Sequence, residues 1–202
     1  MKYKLPFDIE DLDELEADDI KAFQKSTKYL LEDLDAIADN KFKYDLSGFQ
    51  LFQSNPEIRC GFLLKKNKWI IFADVEYKYI GVKGRINEDE ECQIWGIAEL
   101  EKDFGHVIIR TEKILDKINE IFNPIELDFK EDKTFSKKNY VLFSEKEKAI
   151  IGLDSFFRNT INSIPLNDYY IEIVGNILII GTKKVVNLKD TKIISDFIKK
   201  IF

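Results

Sequence analysis

Between residues 41 and 110 the chain carries five apolar, ring-rich segments in succession, each closed by a turn signal and with no helical pattern between them. The segments fall near 48–53, 58–65, 69–80, 92–100 and 105–110. The breaks are Ser54-Asn55-Pro56, Lys66-Asn67-Lys68, Gly81 to Glu91 and Asp103 to Gly105. Phe, Tyr, Ile and Val suit a pleated, half-buried surface, whereas clusters of Gly, Pro, Asn and Asp end strands. Consecutive strands with short connections pair antiparallel, because a parallel pair needs a crossover of about a dozen residues or more. The block therefore predicts an α+β fold with a mostly antiparallel sheet, its strands most simply joined as a meander.

About four helices are expected around it. Asp18 or Asp19 can cap a helix near 18–38, in which Ile20, Phe23, Leu30, Leu34 and Ile37 recur at helical spacing. Thr111 opens a short helix carrying Ile114, Leu115, Ile118, Ile121 and Phe122, which Asn123-Pro124 stops. A strand follows at Tyr140 to Phe143. Ser144 with Glu147 is a capping-box pattern, and Ile150, Leu153, Phe156, Phe157, Ile161 and Ile164 continue one face of a helix over 145–164. Tyr169 to Val174 and Ile177 to Gly181 flank Gly175-Asn176, a two-residue hairpin turn of type II′. A last helix, capped by Asp190, buries Ile193, Ile194, Phe197, Ile198 and Ile201. The expected organisation is an acidic helical arm at 1–39 ahead of one body at 40–202, with Asn123-Pro124 the place where sub-lobes 40–123 and 124–202 would divide.

Composition bounds the class. Disorder is excluded by 45% apolar residues and by 16 Phe, 8 Tyr and 2 Trp. The net charge of −6 is unevenly spread, since residues 1–39 hold five lysines against twelve acids. Asp8, Glu10, Asp11, Asp13, Glu14, Glu16, Asp18 and Asp19 form the densest run, which repels phosphate backbones and can attract a basic protein surface. No Lys/Arg cluster interleaved with stacking rings offsets it, so nucleic acid is not an expected partner. Cys60 and Cys92 form neither a Cys-x-x-Cys pair nor a zinc spacing, as expected of a reducing compartment. No apolar stretch is long enough for a leader or a membrane span, and the expectation is a soluble, cytoplasmic protein without membrane insertion.

The chemistry-bearing patterns are sparse. His106 is the one histidine, so any Ser-His or Cys-His scheme would have to use it, and no Gly-x-Ser-x-Gly elbow accompanies it. A half-buried or surface strand histidine is the simpler expectation. Gly181-Thr182-Lys183-Lys184 lacks the glycines of a phosphate loop and reads as an exposed basic turn. Asn87-Glu88-Asp89-Glu90-Glu91 lacks the ligand order of a calcium loop and reads as a solvated hairpin tip. No cofactor or metal is expected from these patterns. One constellation has a catalytic parallel. Glu57 after Pro56, then Asp74, Glu76 and Lys78, resembles the Pro-Asp, Asp/Glu-x-Lys nucleases, whose strand alternation points acid and lysine to one face around Mg²⁺. There, Glu57, Asp74 and Glu76 would be ligands and Lys78 a base or electrostatic aid. Acid-x-Lys occurs six times in this chain, however, and a charge ladder on a wet sheet face accounts for Glu76 and Lys78 equally well.

The same segment carries a second likeness. Phe72-Ala73-Asp74-Val75-Glu76-Tyr77-Lys78 leads through a polar hairpin to Ile94-Trp95-Gly96-Ile97-Ala98 and Phe104-Gly105-His106-Val107-Ile108-Ile109. Tyr140-Val141-Leu142-Phe143-Ser144, then Ala149, Leu153 and Phe156, then Tyr170 to Ile180, complete the succession. Over residues 48–182 it resembles the bacterial family called domain of unknown function 3137. The resemblance implies a shared fold and no reaction, because its signatures are strand positions, a turn serine and a hairpin. Members commonly carry membrane segments ahead of this domain, where the present chain has an acidic helix.

These observations lead to an expected function: a non-enzymatic bacterial interaction module using its acidic arm on a basic partner. The alternative is the Mg²⁺-dependent nuclease. A third expectation is a small-ligand binder with a cleft between the sheet and the helix at 145–164.

Overall fold

A computed structural model describes residues 17–39, 42–52, 55–80, 85–111, 127 and 129–201. Its centre is an eight-stranded sheet in which every strand pair is antiparallel. The strands are β1 (Ile37–Ala38), β2 (Glu57–Lys65), β3 (Lys68–Ile80), β4 (Ile86–Glu99), β5 (His106–Thr111), β6 (Asn139–Phe143), β7 (Tyr170–Val174) and β8 (Ile177–Val185). Their spatial order is β1-β2-β3-β4-β8-β7-β5-β6. The helices are α1 (Ala17–Lys28), continued by a π-helical turn at Tyr29–Asp33, then α2 (Lys133–Lys138), α3 (Lys146–Gly152), α4 (Ser155–Asn162) and α5 (Leu188–Lys200). The α+β architecture with an N-terminal helix is the one the strand block predicted. Among the described residues no helix is long and apolar enough to cross a membrane.

Alternation along the strands builds two cores, one on each face. On the first, Phe62, Ile70, Phe72, Ile94, Val107, Ile109, Ile171 and Ile180 meet buried residues from all five helices, including Phe23, Phe135, Ala149, Phe157 and Ile194. The Phe23 ring stands edge-on to Phe72 at 4.7 Å, and Ser26 and Thr191 hydroxyls join α1 to α5 at 2.9 Å. Of the described part of the predicted arm, Phe23, Leu30 and Ala36 thus belong to the core. Gly96 lets α5 lie against β4, because a Cβ there would come within 2.7 Å of the Ile194 and Ile198 side chains. On the second face Trp69, Ile71, Trp95, Ile97, Ile108 and Ile179 are covered by Leu46, Phe49, Leu51 and Phe52.

Several local expectations are corrected. Residues 48–52 form turns, with Phe49, Leu51 and Phe52 all buried in one core, where a strand would have sent Phe52 to the face opposite Phe49 and Leu51. The first helix ends at Asp33, and Asp35 adopts a left-handed φ of 51° that redirects the chain into β1. Helix 145–164 is two helices, since Asp154 caps α4 by accepting from Phe157 N at 3.0 Å. The capping box at Ser144 is not made, because its hydroxyl accepts from His106 N across the sheet at 3.2 Å. Asn187 caps α5, accepting from Asp190 N, while Asp190 itself is buried and accepts from Thr182 and Asn187. The helix predicted after Thr111 and the Asn123-Pro124 break lie outside the described residues.

The meander holds from β1 to β4 and ends there. β4 does not pair with β5, because hairpin β7-β8 lies between them. The β4–β5 connection crosses the end of that hairpin and bonds to its turn, Leu100 N to Asn176 O at 2.7 Å and Phe104 N to Gly175 O at 2.8 Å. Gly175 takes the left-handed φ of 62° that the sequence reserved for it.

Candidate functional site

Strand register decides which of the sequence candidates meet. Glu57 on β2 is opposite Asp74 on β3, Asp74 is opposite Cys92 on β4, and Glu76 is opposite Glu90. The period of two puts Asp74, Glu76 and Lys78 on the same face of β3. The four candidates Glu57, Asp74, Glu76 and Lys78 are therefore brought onto one surface, at the end of the sheet. Glu57, Glu76, Lys78 and Glu90 are exposed there, whereas Asp74 is buried.

An irregularity in β2 supplies Asp74 with a partner that sequence reasoning missed. Pairing shifts between Ile58 and Cys60, and the extra residue, Arg59, makes an ion pair through Nε with Asp74 Oδ2. The Cys92 thiol also donates to Asp74. Burial nevertheless pushes the Asp74 carboxyl above its usual range, outweighing the pull of Arg59. Glu90 is likewise held high, first by burial and then by the charges of Asp74, Glu76 and Glu57 beside it. Among the described residues no three His, Cys, Asp or Glu side chains gather closely enough to hold a metal ion. Asp74, the natural central ligand, is instead engaged by a guanidinium and a thiol. Both cysteines are free and buried; burial raises the Cys92 thiol to about 12 and Cys60 well above its ordinary value.

Of the acidic arm, Asp18 and Asp19 begin α1, and Asp18 accepts from Lys21 at 3.0 Å. Asp8, Glu10, Asp11, Asp13, Glu14 and Glu16 lie outside the described residues.

His106 sits at the start of β5 with 19% of its side chain exposed, and its Nε2 is 2.5 Å from Oε1 of the fully buried Glu172. The same carboxylate accepts from Gln50 N and Leu51 N, each at 2.8 Å. Glu172 thus clamps the turns at 49–52 onto the second face. The nearest serine, Ser144, meets the histidine at its backbone nitrogen rather than its ring. The signal for Glu172 was present in the sequence: a lone acid inside the apolar strand Tyr170-Ile171-Glu172-Ile173-Val174.

Two surface expectations change. Asn87 to Glu91 belong to β4 and pair with residues 75–79 of β3, so they form the side of a ribbon rather than its tip. Tyr77 donates to Glu91 across it at 3.0 Å. Gly181 to Lys184 belong to β8 rather than to an exposed turn. Thr182 is buried on Asp190, Lys183 lies 4.5 Å over the Tyr170 ring, and Lys184 pairs with Asp168.

Compared with known proteins, the chain matches no family model, no curated protein and no solved structure.

Proposed function

We propose that this chain is a non-enzymatic binding module that receives a basic protein surface on its acidic end. The carrying observation is the register that brings Glu57 opposite Asp74 and Glu76 opposite Glu90 at one end of the sheet, where desolvation first and then the neighbouring acids hold the Glu90 carboxyl above its usual range. A surface whose carboxylates repel one another gains free energy when a cationic partner approaches, and desolvation strengthens that gain. The acidic run from Asp8 to Asp19 adds charge of the same sign. In this proposal the setting is a bacterial cytoplasm, in keeping with two buried, unbridged thiols. The likeness to domain of unknown function 3137 is part of the same proposal as a relation of fold. The segments that carry it, Phe72 to Lys78, Ile94 to Ala98, His106 to Ile109 and the hairpin at 170–180, lie in strands of one sheet.

The test is capture from the native host by tagged wild type, by a Glu57→Gln/Glu76→Gln/Glu90→Gln variant and by a deletion of residues 1–17. A specific partner with a basic surface, lost on neutralisation and weakened by salt, is expected. Equal capture by all three proteins overturns the proposal.

One observation favours the nuclease as a second proposal: Glu57 does face Asp74, with Glu76 and Lys78 on the same side. DNA or RNA cleavage by wild type with Mg²⁺ or Mn²⁺, abolished in Glu76→Ala, would put it first.

A further inference from the structure

The face opposite the helices holds a cavity of about 280 Å³ lined by Leu51, Val75, Glu76, Tyr77, Glu91, Gln93 and Lys183. It is remote from the cleft at 145–164 that the sequence suggested, since those helices pack on the other face. At about 30 Å³ per water, the volume suits a ligand of roughly nine heavy atoms.

Two features of the lining ask for a ligand. Gln93 is 3% exposed, and its Oε1 has no hydrogen-bond partner. An acceptor taken out of water without a donor destabilises the fold, so an incoming N–H or O–H is favoured there. Lys183 adopts φ 51°, a left-handed conformation that side chains other than Gly, Asn and Asp seldom occupy. It sits where β8 bulges against β4: pairing passes from Gln93↔Val185 to Trp95↔Gly181, leaving two extra residues on β8. The bulge turns a lysine onto the rim of the cavity at a cost in backbone strain.

The charges select the class. A simple anion is repelled by Glu76 and by Glu91, whose carboxylate is oriented by the Tyr77 hydroxyl at 3.0 Å, and a simple cation, though drawn to these acids, is repelled by Lys183. A molecule with both signs satisfies both walls. We propose that the cavity binds a small zwitterion of the free α-amino-acid class. Its ammonium donates to Gln93 Oε1 and faces Glu91, its carboxylate faces Lys183, and its side chain rests on Leu51 and Val75. The cavity borders the acidic end and shares Glu76 with it, but Gln93 and Lys183, on which the inference rests, belong to the cavity and not to the surface proposed for the protein partner.

The experiment is a thermal-shift screen of wild-type protein against the set of proteinogenic amino acids, with calorimetry on any that raise Tm. Two variants accompany it. Gln93→Leu removes the acceptor, and Lys183→Gly removes the cation while giving the strained position to the residue that tolerates it best. At least one amino acid is expected to raise the Tm of wild type saturably. Lys183→Gly is expected to match or exceed wild type in Tm without ligand, yet to bind at least about tenfold more weakly. Gln93→Leu should lose the shift as well. The proposal is overturned if no amino acid raises the wild-type Tm. It is equally overturned if the shift survives both variants, or if the corresponding amine or carboxylic acid alone reproduces it.

Discussion

Glu172 shows how much of this fold turns on one side chain. Its carboxylate is wholly inside the protein, and its contacts are His106, Gln50 N and Leu51 N. A glutamine has one acceptor oxygen where the carboxylate has two, so Glu172→Gln strands one of the two amides and turns an N–H₂ against it. The expected loss is about 2 kcal/mol, the cost of leaving a buried donor unsatisfied. Urea denaturation monitored by tryptophan fluorescence checks it, since Trp95 packs against Phe52 of the clamped segment at 4.7 Å. An unchanged midpoint would show that the carboxylate is not what holds residues 49–52. The acid was visible in the sequence, but its role was not. A lone charge in a strand has two faces to choose from, and nothing local announces that turns from 121 and 122 residues earlier will cover the inner one. Arg59 was hidden for a related reason. Its pairing with Asp74 depends on a register shift, and periodicity alone carries no sign of a bulge.

Among the elements, the hardest to foresee were the boundaries of the helical layer. The apolar stripe from Ile150 to Ile164 is periodic enough for one helix, yet the chain breaks at Leu153 because Asp154 offers a better cap than continuation offers a turn. What then joins the pieces is Arg158 on α4. It donates to Asp132 at 3.0 Å and to Leu153 O at 2.7 Å, and its guanidinium lies 4.3 Å over Phe129. Asp132 is at the same time the cap of α2, accepting from Phe135 N at 3.0 Å. One buried cation thus fixes the end of α3, the start of α2 and the loop before it. Arg158→Ala should cost about 3 kcal/mol, because it leaves a half-buried carboxylate and a carbonyl without their donor. Asp132→Asn keeps one acceptor for the cap but turns its N–H₂ against Arg158 Nε, and about 2 kcal/mol is expected. Parallel chemical denaturation of the two variants tests the difference. Equal losses would mean that Arg158 acts through Asp132 alone, and that its bond to Leu153 O and its stacking on Phe129 add nothing.

For the whole molecule, local pattern disclosed that eight or so strands exist and that they run antiparallel, but not who neighbours whom. β4 and β8 are some eighty residues apart in the chain, and their pairing rests on Trp95 to Ala98 meeting Ile177 to Gly181, apolar segments that either neighbour could have matched. That central placement has a measurable consequence in alkali. Cys60 and Cys92 lie on the helix-covered face of β2 and β4, and burial lifts both thiols, Cys92 from 9.0 to about 12. Burial raises the Tyr169 phenol in the same direction. Below about pH 9 these groups are protonated in folded and unfolded chains alike, and their burial carries no pH dependence. Above it the unfolded chain releases the protons while the folded chain retains them, so stability falls as pH rises, by about 1.4 kcal/mol per thiol per unit. Urea midpoints at about pH 8 and about pH 10.5 should show that fall, and a Cys60→Ala/Cys92→Ala variant should lose less over the same interval. An identical alkaline loss in both proteins would mean that the thiols ionise as readily in the folded chain as in the unfolded one.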